Sequence, residues 1–221
     1  MTLVVCSDTH YTDDPRTDDM TPGIWALLGA HYADEVWLLG DVVDRAQCAY
    51  WPDAVASLPI GLGLIGGNHD QGCLPAFGQA VRRDGVFLCH GHRATMPDGT
   101  VVHFDPFLSR LLDRPVQWLV GWLERHVSRD ADVWLERHML RVLGRWLGGR
   151  LNTDPQGHAL ELARVARAWG CHTAAMGHRH ELWEVEVEVA TDKDCLTVER
   201  VRVFCTGCCC GGRMDFVEIE T

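Results

Sequence analysis

Five short polar signatures, each set where an apolar stretch runs out, constrain this chain more than any other feature. In order they read Asp8-Thr9-His10, Gly40-Asp41-Val42-Val43-Asp44-Arg45, Gly67-Asn68-His69-Asp70, Cys89-His90-Gly91-His92 and Gly177-His178-Arg179-His180. Carboxylates, an amide and imidazoles in this number suit two divalent cations. Ligands so far apart in sequence act together only if the chain brings successive strand ends to one place, as loops converge beyond the strand ends of an open α/β sheet.

The first half of the chain has the alternation that such a sheet needs. Short apolar runs at 3–6, 35–39, 60–65 and 86–89 are predicted strands, with helices expected at 22–33, where Pro22 stands near the start, and at 50–57. A candidate ligand follows each predicted strand.

At 221 residues, 47% hydrophobic and 23% charged, the chain is expected to form a single domain over 1–221. The opening Met1-Thr2-Leu3-Val4-Val5-Cys6 lacks a basic flank and is read as a buried first strand, not a signal peptide. No apolar run reaches the ~20 residues of a membrane span, so a cytoplasmic protein is expected. A formal net charge of -11 opposes nucleic acid as a partner. Of the ten cysteines, Cys205, Cys208, Cys209 and Cys210 crowd together, without the second ligand pair that a structural zinc site needs. They are read as a buried strand and turn in a reducing compartment, with no catalytic part.

Residues 104–168 break the alternation and read as an inserted helical cap. Leu108, Leu111, Leu112, Val116, Leu119, Val120 and Leu123 recur at helical spacing, Pro115 separates two helices, and Gly148-Gly149 ends a further one. The cap carries Trp118, Trp122, Trp134 and Trp146 among eight arginines between Arg110 and Arg150. Two readings stand: tryptophans in a core beneath a solvated arginine face, or an amphipathic surface at a lipid headgroup boundary. The same apolar residues would also serve contact with a second copy of the chain.

The order of signatures resembles the calcineurin-like metallophosphoesterase superfamily, with its D-x-H, GD-x-x-D, GNH-D/E, lone His and GH-x-H. The resemblance implies a four-layer α/β/β/α sandwich and a metal-dependent hydrolase of phosphoric esters. It implies one metal at Asp8, His10, Asp41 and His180 and a second at Asp41, Asn68, His90 and His178, with Asp41 bridging. Manganese is the first expectation for the pair, and iron, zinc, nickel or cobalt would fit the same donors. A hydroxide bridging the metals would attack phosphorus. His69 is then the acid for the leaving group, Asp44 the carboxylate that orients it, and Arg45 a phosphate clamp. Asn68, His92 and Arg93 are further candidates for substrate contact. His31, His103, His126, His138, His158 and His172 are read as surface or packing residues.

Within the superfamily the layout is most similar to the UDP-2,3-diacylglucosamine hydrolase group, which splits a pyrophosphate bond in a nucleotide-lipid and whose caps clamp acyl chains. Val203-Phe204-Cys205-Thr206-Gly207 and Phe216-Val217-Glu218-Ile219 resemble the closing strand pair of many members, with Cys205 and Cys208 in place of Asn and Ser. His69 and Asp44-Arg45 depart from that group. They resemble instead general phosphomonoesterases and phosphodiesterases of the protein-phosphatase or dinucleoside-tetraphosphatase type. The expected substrate is therefore a phosphorylated small molecule or a nucleotide-lipid, with peripheral contact to the inner membrane face through the cap. A scaffold or membrane-surface module is the non-enzymatic alternative.

Overall fold

The computed structural model describes residues 1–10, 33–42, 61–67, 70, 80–104, 155–190, 197–209 and 213–221. The helices expected at 22–33 (Ala33 apart) and 50–57 lie outside the described residues, as do the cap over 105–154, Asp44, Arg45, Asn68, His69 and Cys210.

Two sheets face each other. The first has the order β11-β1-β2-β3, from β1 (Thr2–Cys6), β2 (Glu35–Leu39), β3 (Leu62–Ile65) and β11 (Val217–Glu220). Its first three strands run parallel, and β11 is antiparallel to β1. The second has the order β4-β5-β8-β10-β9, from β4 (Ala80–Arg83), β5 (Val86–Cys89), β8 (Thr173–Met176), β9 (Leu182–Ala190) and β10 (Val198–Thr206). Its central strands β5, β8 and β10 are parallel. A small hairpin of β6 (Arg93–Thr95) and β7 (Val101–His103) follows β5.

The two-residue period of a strand explains why both faces of these sheets are apolar. Leu3 and Val5 of β1, Val86 and Leu88 of β5, Ala175 of β8 and Phe204 of β10 point between the sheets and pack with Leu39, Ile65 and Ile219. Their neighbours point outward: Val4 and Cys6 pack with Val36 and Leu38, while Phe87, Cys89, Ala174, Met176, Val203 and Cys205 meet a helix.

That helix, α1 (Pro155–Ala168), presents Ala159, Leu162, Ala163 and Ala166 at helical spacing to the second sheet. It ends in a Schellman turn, in which the Cys171 amide donates to Ala166 and the Gly170 amide to Arg167, with Gly170 at φ 70°. The last fourteen residues of the stretch read as a cap are therefore a layer of the sandwich itself. The two segments read as a closing strand pair, β10 and β11, likewise part company: β10 pairs with β8 and β9, and β11 with β1 in the other sheet. The fold is an α/β sandwich, and each of β1, β2, β5 and β8 ends at a polar signature.

Leu162 is fully buried between α1 and the sheet. Leu162→Ala is expected to lower stability by about 3 kcal/mol in urea denaturation, the usual cost of such a cavity. A loss under ~1 kcal/mol would mean that α1 is not packed as described.

Candidate metal centre

Asp8 follows β1, Asp41 follows β2, His90 follows β5, and His178 and His180 follow β8. Their side chains meet in two groups, Asp8 with His10 and His180, and Asp41 with His90 and His178; within each group the ligand atoms lie within 4.8 Å of one another. Nε2 of His180 is 3.1 Å from Oδ1 of Asp8, and Nε2 of His90 is 3.2 Å from Oδ2 of Asp41. The groups adjoin: the His178 amide donates to Oδ2 of Asp8 at 2.9 Å, the Asp8 amide to the Gly40 carbonyl at 3.0 Å, and the His10 amide to the Asp41 carbonyl at 2.9 Å.

The backbone is forced at these positions. Asp8, His10, Asp41, His178 and His180 all have positive φ, between 45° and 72°, in a chain region where only Asp84 among other described non-glycine residues does so. Such conformations cost of order 1 kcal/mol or more each and gather at functional sites. Two signature glycines admit the ligands. A Cβ on Gly177 would stand 2.8 Å from Oδ2 of Asp8, and one on Gly67 would stand 2.9 Å from Cγ of Asp41.

Hydrogen bonds fix the donor atoms. Nδ1 of His90 lies 2.7 Å from the Leu39 carbonyl, which only accepts, so Nδ1 carries the proton and Nε2 faces the pocket. The Ser7 hydroxyl donates to Oδ2 of Asp8 and is itself 2.7 Å from the Thr206 hydroxyl. Asp70 braces two ligand loops, its Oδ1 accepting from the Val42 amide at 3.0 Å and its Oδ2 from the Gly67 amide at 2.7 Å. Thr9 donates to the Val42 carbonyl at 2.8 Å. Ser7, Asp70 and Thr206 were not singled out from sequence. Asp70 had the one available signal, its place at the end of the third signature.

Burial and charge set the protonation of the cluster. Burial alone would lower the pKa of His90, but the Asp41 carboxylate beside it prevails and raises it to about 9. Burial would likewise lower His180, and Asp8 raises it well above the usual imidazole value. Burial would raise Asp8, yet the charge of His180 holds it at about 2. For His178 burial, with the charges of His90 and His92 beside it, outweighs the pull of Asp41 and Asp8 and drives it well down. Protons on His90 and His180 thus stand where a cation would face the two carboxylates. A donor set of two buried carboxylates and four imidazoles fits divalent transition metals.

His92 and Arg93, expected at the substrate, border this centre. The His92 ring centroid is 5.1 Å from that of His90 and 6.1 Å from that of His178, and Arg93 opens β6. Asp44, Arg45, Asn68 and His69 lie outside the described residues. The family model for calcineurin-like phosphoesterases matches residues 1–182. The chain belongs to the calcineurin-like phosphoesterase family.

Three solved structures show similarity to this chain over its whole length. Vps29 of Chaetomium thermophilum is 14% identical, with a TM-score of 0.49, 100% of this chain and 82% of that one being covered. A metallophosphoesterase from Sphaerobacter thermophilus is 12% identical, with a TM-score of 0.49 and coverage of 100% and 84%. Wild-type Vps29 of Entamoeba histolytica complexed with zinc is 14% identical, with a TM-score of 0.45 and coverage of 100% and 86%. Comparison with curated proteins gave no match. Family membership and the ligand groups together support divalent-metal binding by this chain.

Two outcomes follow from the geometry. Asp70→Ala leaves two backbone amides without their buried acceptor and is expected to destabilise the fold by about 3 kcal/mol while weakening metal uptake; unchanged metal affinity would remove Asp70 as the brace of Asp41. The second concerns pH. His90 has a folded pKa of about 9 against 6.5 unfolded, so its pairing stabilises the metal-free fold fully below 6.5 and is lost as pH rises through 9. The Tm of metal-free protein is expected to fall over that window and that of metal-loaded protein to change less, with protons released on metal uptake near neutral pH. A flat metal-free profile would overturn the pairing.

Proposed function

We propose that this chain is a phosphoesterase working with two divalent cations, one at Asp8, His10 and His180 and the other at Asp41, Asn68, His90 and His178, with Asp41 shared. The observation that supports it is the pair of adjoining ligand groups, each combining one carboxylate with two imidazoles at strand ends. Bound cations would supply positive charge towards an anionic phosphate and lower the pKa of a water for attack on phosphorus. Manganese is the first cation to test, ahead of iron, zinc, nickel and cobalt.

The protein's own groups divide the remaining work. Both ring nitrogens of His92 and Nε of Arg93 are buried without a hydrogen-bond partner among the described residues, and phosphate oxygens would satisfy Nε of Arg93 and the one His92 nitrogen that carries a proton. Burial, then the charge of His90, hold His92 at about 3, so its ring is neutral and donates through one nitrogen. Arg45 is assigned to clamp a phosphate, His69 to protonate the leaving group, and Asp44 to orient His69.

The layout of the chain, with a helical stretch ahead of Gly177-His178, favours a pyrophosphate bond in a nucleotide-lipid such as UDP-2,3-diacylglucosamine, and His69 with Arg45 favours simpler esters. A cytoplasmic enzyme that touches the inner membrane face through the cap is the location that goes with the first. Among the described residues no helix is long and apolar enough to cross a membrane.

The test is hydrolysis by manganese-loaded protein of a matched set: a phosphomonoester, a phosphodiester, and UDP-2,3-diacylglucosamine with UMP release followed. At least one is expected to turn over, with activity lost on chelation and in Asp41→Ala. Preference for the nucleotide-lipid would make the cap an acyl clamp, and preference for simple esters would assign the chain to the broader class. Metal binding without turnover of any of the three would overturn the enzymatic reading.

A further inference from the structure

The two carboxylate oxygens of Asp8 have different surroundings. Oδ2 accepts two hydrogen bonds, one from the Ser7 hydroxyl and one from the His178 amide at 2.9 Å. Oδ1 is buried without a hydrogen bond among the described residues, with Nε2 of His180 3.1 Å away. Ser7, Asp8 and Thr206 are all wholly buried, so each proton in this group has only protein oxygens to go to. A serine hydroxyl carries one proton. Around that of Ser7 stand Oδ2 of Asp8, the Thr206 hydroxyl at 2.7 Å and the Gly207 carbonyl at 3.2 Å. An ionised carboxylate is the strongest acceptor of the three and cannot donate, so the Ser7 proton goes to Asp8. At 2.7 Å two hydroxyl oxygens need a proton between them, and the only one left is that of Thr206. The bonds therefore run in one direction, from Thr206 to Ser7 to Asp8, each strengthening the next. The loop that carries His178 is shaped around them: a Cβ on Gly177 would fall on the Ser7 hydroxyl.

We propose that Thr206 and Ser7 form a relay that, with the His178 amide, occupies Oδ2 of Asp8 and leaves Oδ1 alone to bind a cation, so that Asp8 ligates through a single oxygen. Ser7 and Thr206 are then positioning residues, outside the group of Asp8, His10 and His180 itself. Thr206 acts only through Ser7, from the end of β10 in the opposite sheet. A carboxylate held in this way cannot turn to chelate with both oxygens, which leaves room around the cation for His10 and His180. The inference rests on the metal reading of the site but not on turnover.

The test uses the full-length protein with zinc as the probe. Zinc affinity is measured by competition with a chromophoric chelator for wild type, Ser7→Ala, Thr206→Val, Thr206→Ser and the double variant Ser7→Ala with Thr206→Val. Loss of an outer partner of a metal ligand costs about 10–100-fold in affinity. Ser7→Ala is expected to lose about that much at one site, Thr206→Val to lose less at the same site, and Thr206→Ser, which keeps the hydroxyl, to match wild type. In a relay the double variant is no weaker than Ser7→Ala alone, whereas two independent packing effects would add. A crystal structure of zinc-loaded wild type is expected to show Oδ1 of Asp8 at about 2.0–2.2 Å from the metal, with Oδ2 still bonded to Ser7 and His178. Equal zinc affinities, additive losses in the double variant, or zinc on Oδ2 would each overturn the proposal. The crystal structure needs no substitution, so it decides the matter even if Ser7→Ala fails to fold. A wild type that takes up no metal would overturn the metal reading instead.

Discussion

The two sheets are joined at the buried carboxylate of Asp8. It stands at the end of β1 in one sheet and accepts a hydrogen bond from the His178 amide at the end of β8 in the other. The Ser7 hydroxyl that also donates to it is bonded to Thr206 at the end of β10. A fully buried carboxylate is costly unless charge-paired and hydrogen-bonded, and each bond that satisfies Asp8 draws in the end of another strand. The seam of the sandwich and the candidate metal centre are therefore one arrangement. Loosening it would expose the inter-sheet core around Leu3, Leu88 and Phe204 at the same time.

The left-handed backbone at five candidate ligands belongs to the same account. A strand delivers successive side chains to opposite faces, so consecutive loop residues reach one point only if the chain turns sharply after the strand. Positive φ at both Asp8 and His10, and at both His178 and His180, makes that turn. The cost is offset by hydrogen bonds to neighbouring loops, among them the His10 amide to Asp41 and the Gly177 amide to His90. Cations held by the assembled ligands would add to that offset, since a ligand that binds only the folded state stabilises it.

The strand ends and the candidate ligands are legible in the sequence because both are local. The strands β2 and β5 fall at the bounds read from their apolar runs, and every described residue of the two ligand groups was named from its signature. What escaped is long-range. The Ser7–Thr206 bond joins residues 199 apart, and no local pattern marks it. The helix α1 was read as helical, but whether its apolar stripe meets a cap or a sheet depends on where the sheet lies. The strand β9 was legible and unread: Val185, Val187 and Val189 alternate with Glu184, Glu186 and Glu188, the valines meeting the helix side and the glutamates pairing with Arg200 and Arg202. The two segments that resemble a closing strand pair, β10 and β11, are also separated by long-range pairing, since hydrogen bonds send them to different sheets.

Charge explains why metal loading and phosphate attraction would be a single event in so acidic a chain. Without metal, protons on His90 and His180 balance the carboxylates of Asp41 and Asp8, and the centre is near neutral. In a protein of formal charge -11 a near-neutral centre gives an anion little net attraction. Two divalent cations in place of those protons would leave the same carboxylates outweighed by about two positive charges, concentrated where water is excluded and the field is strongest. The depressed basicity of His178 and His92 fits that exchange, because a neutral imidazole keeps a lone pair for a cation and a proton for a phosphate oxygen, whereas an imidazolium would repel the metal. Burial, which makes the empty centre expensive, is thus also what keeps its imidazoles in the form that a cation needs.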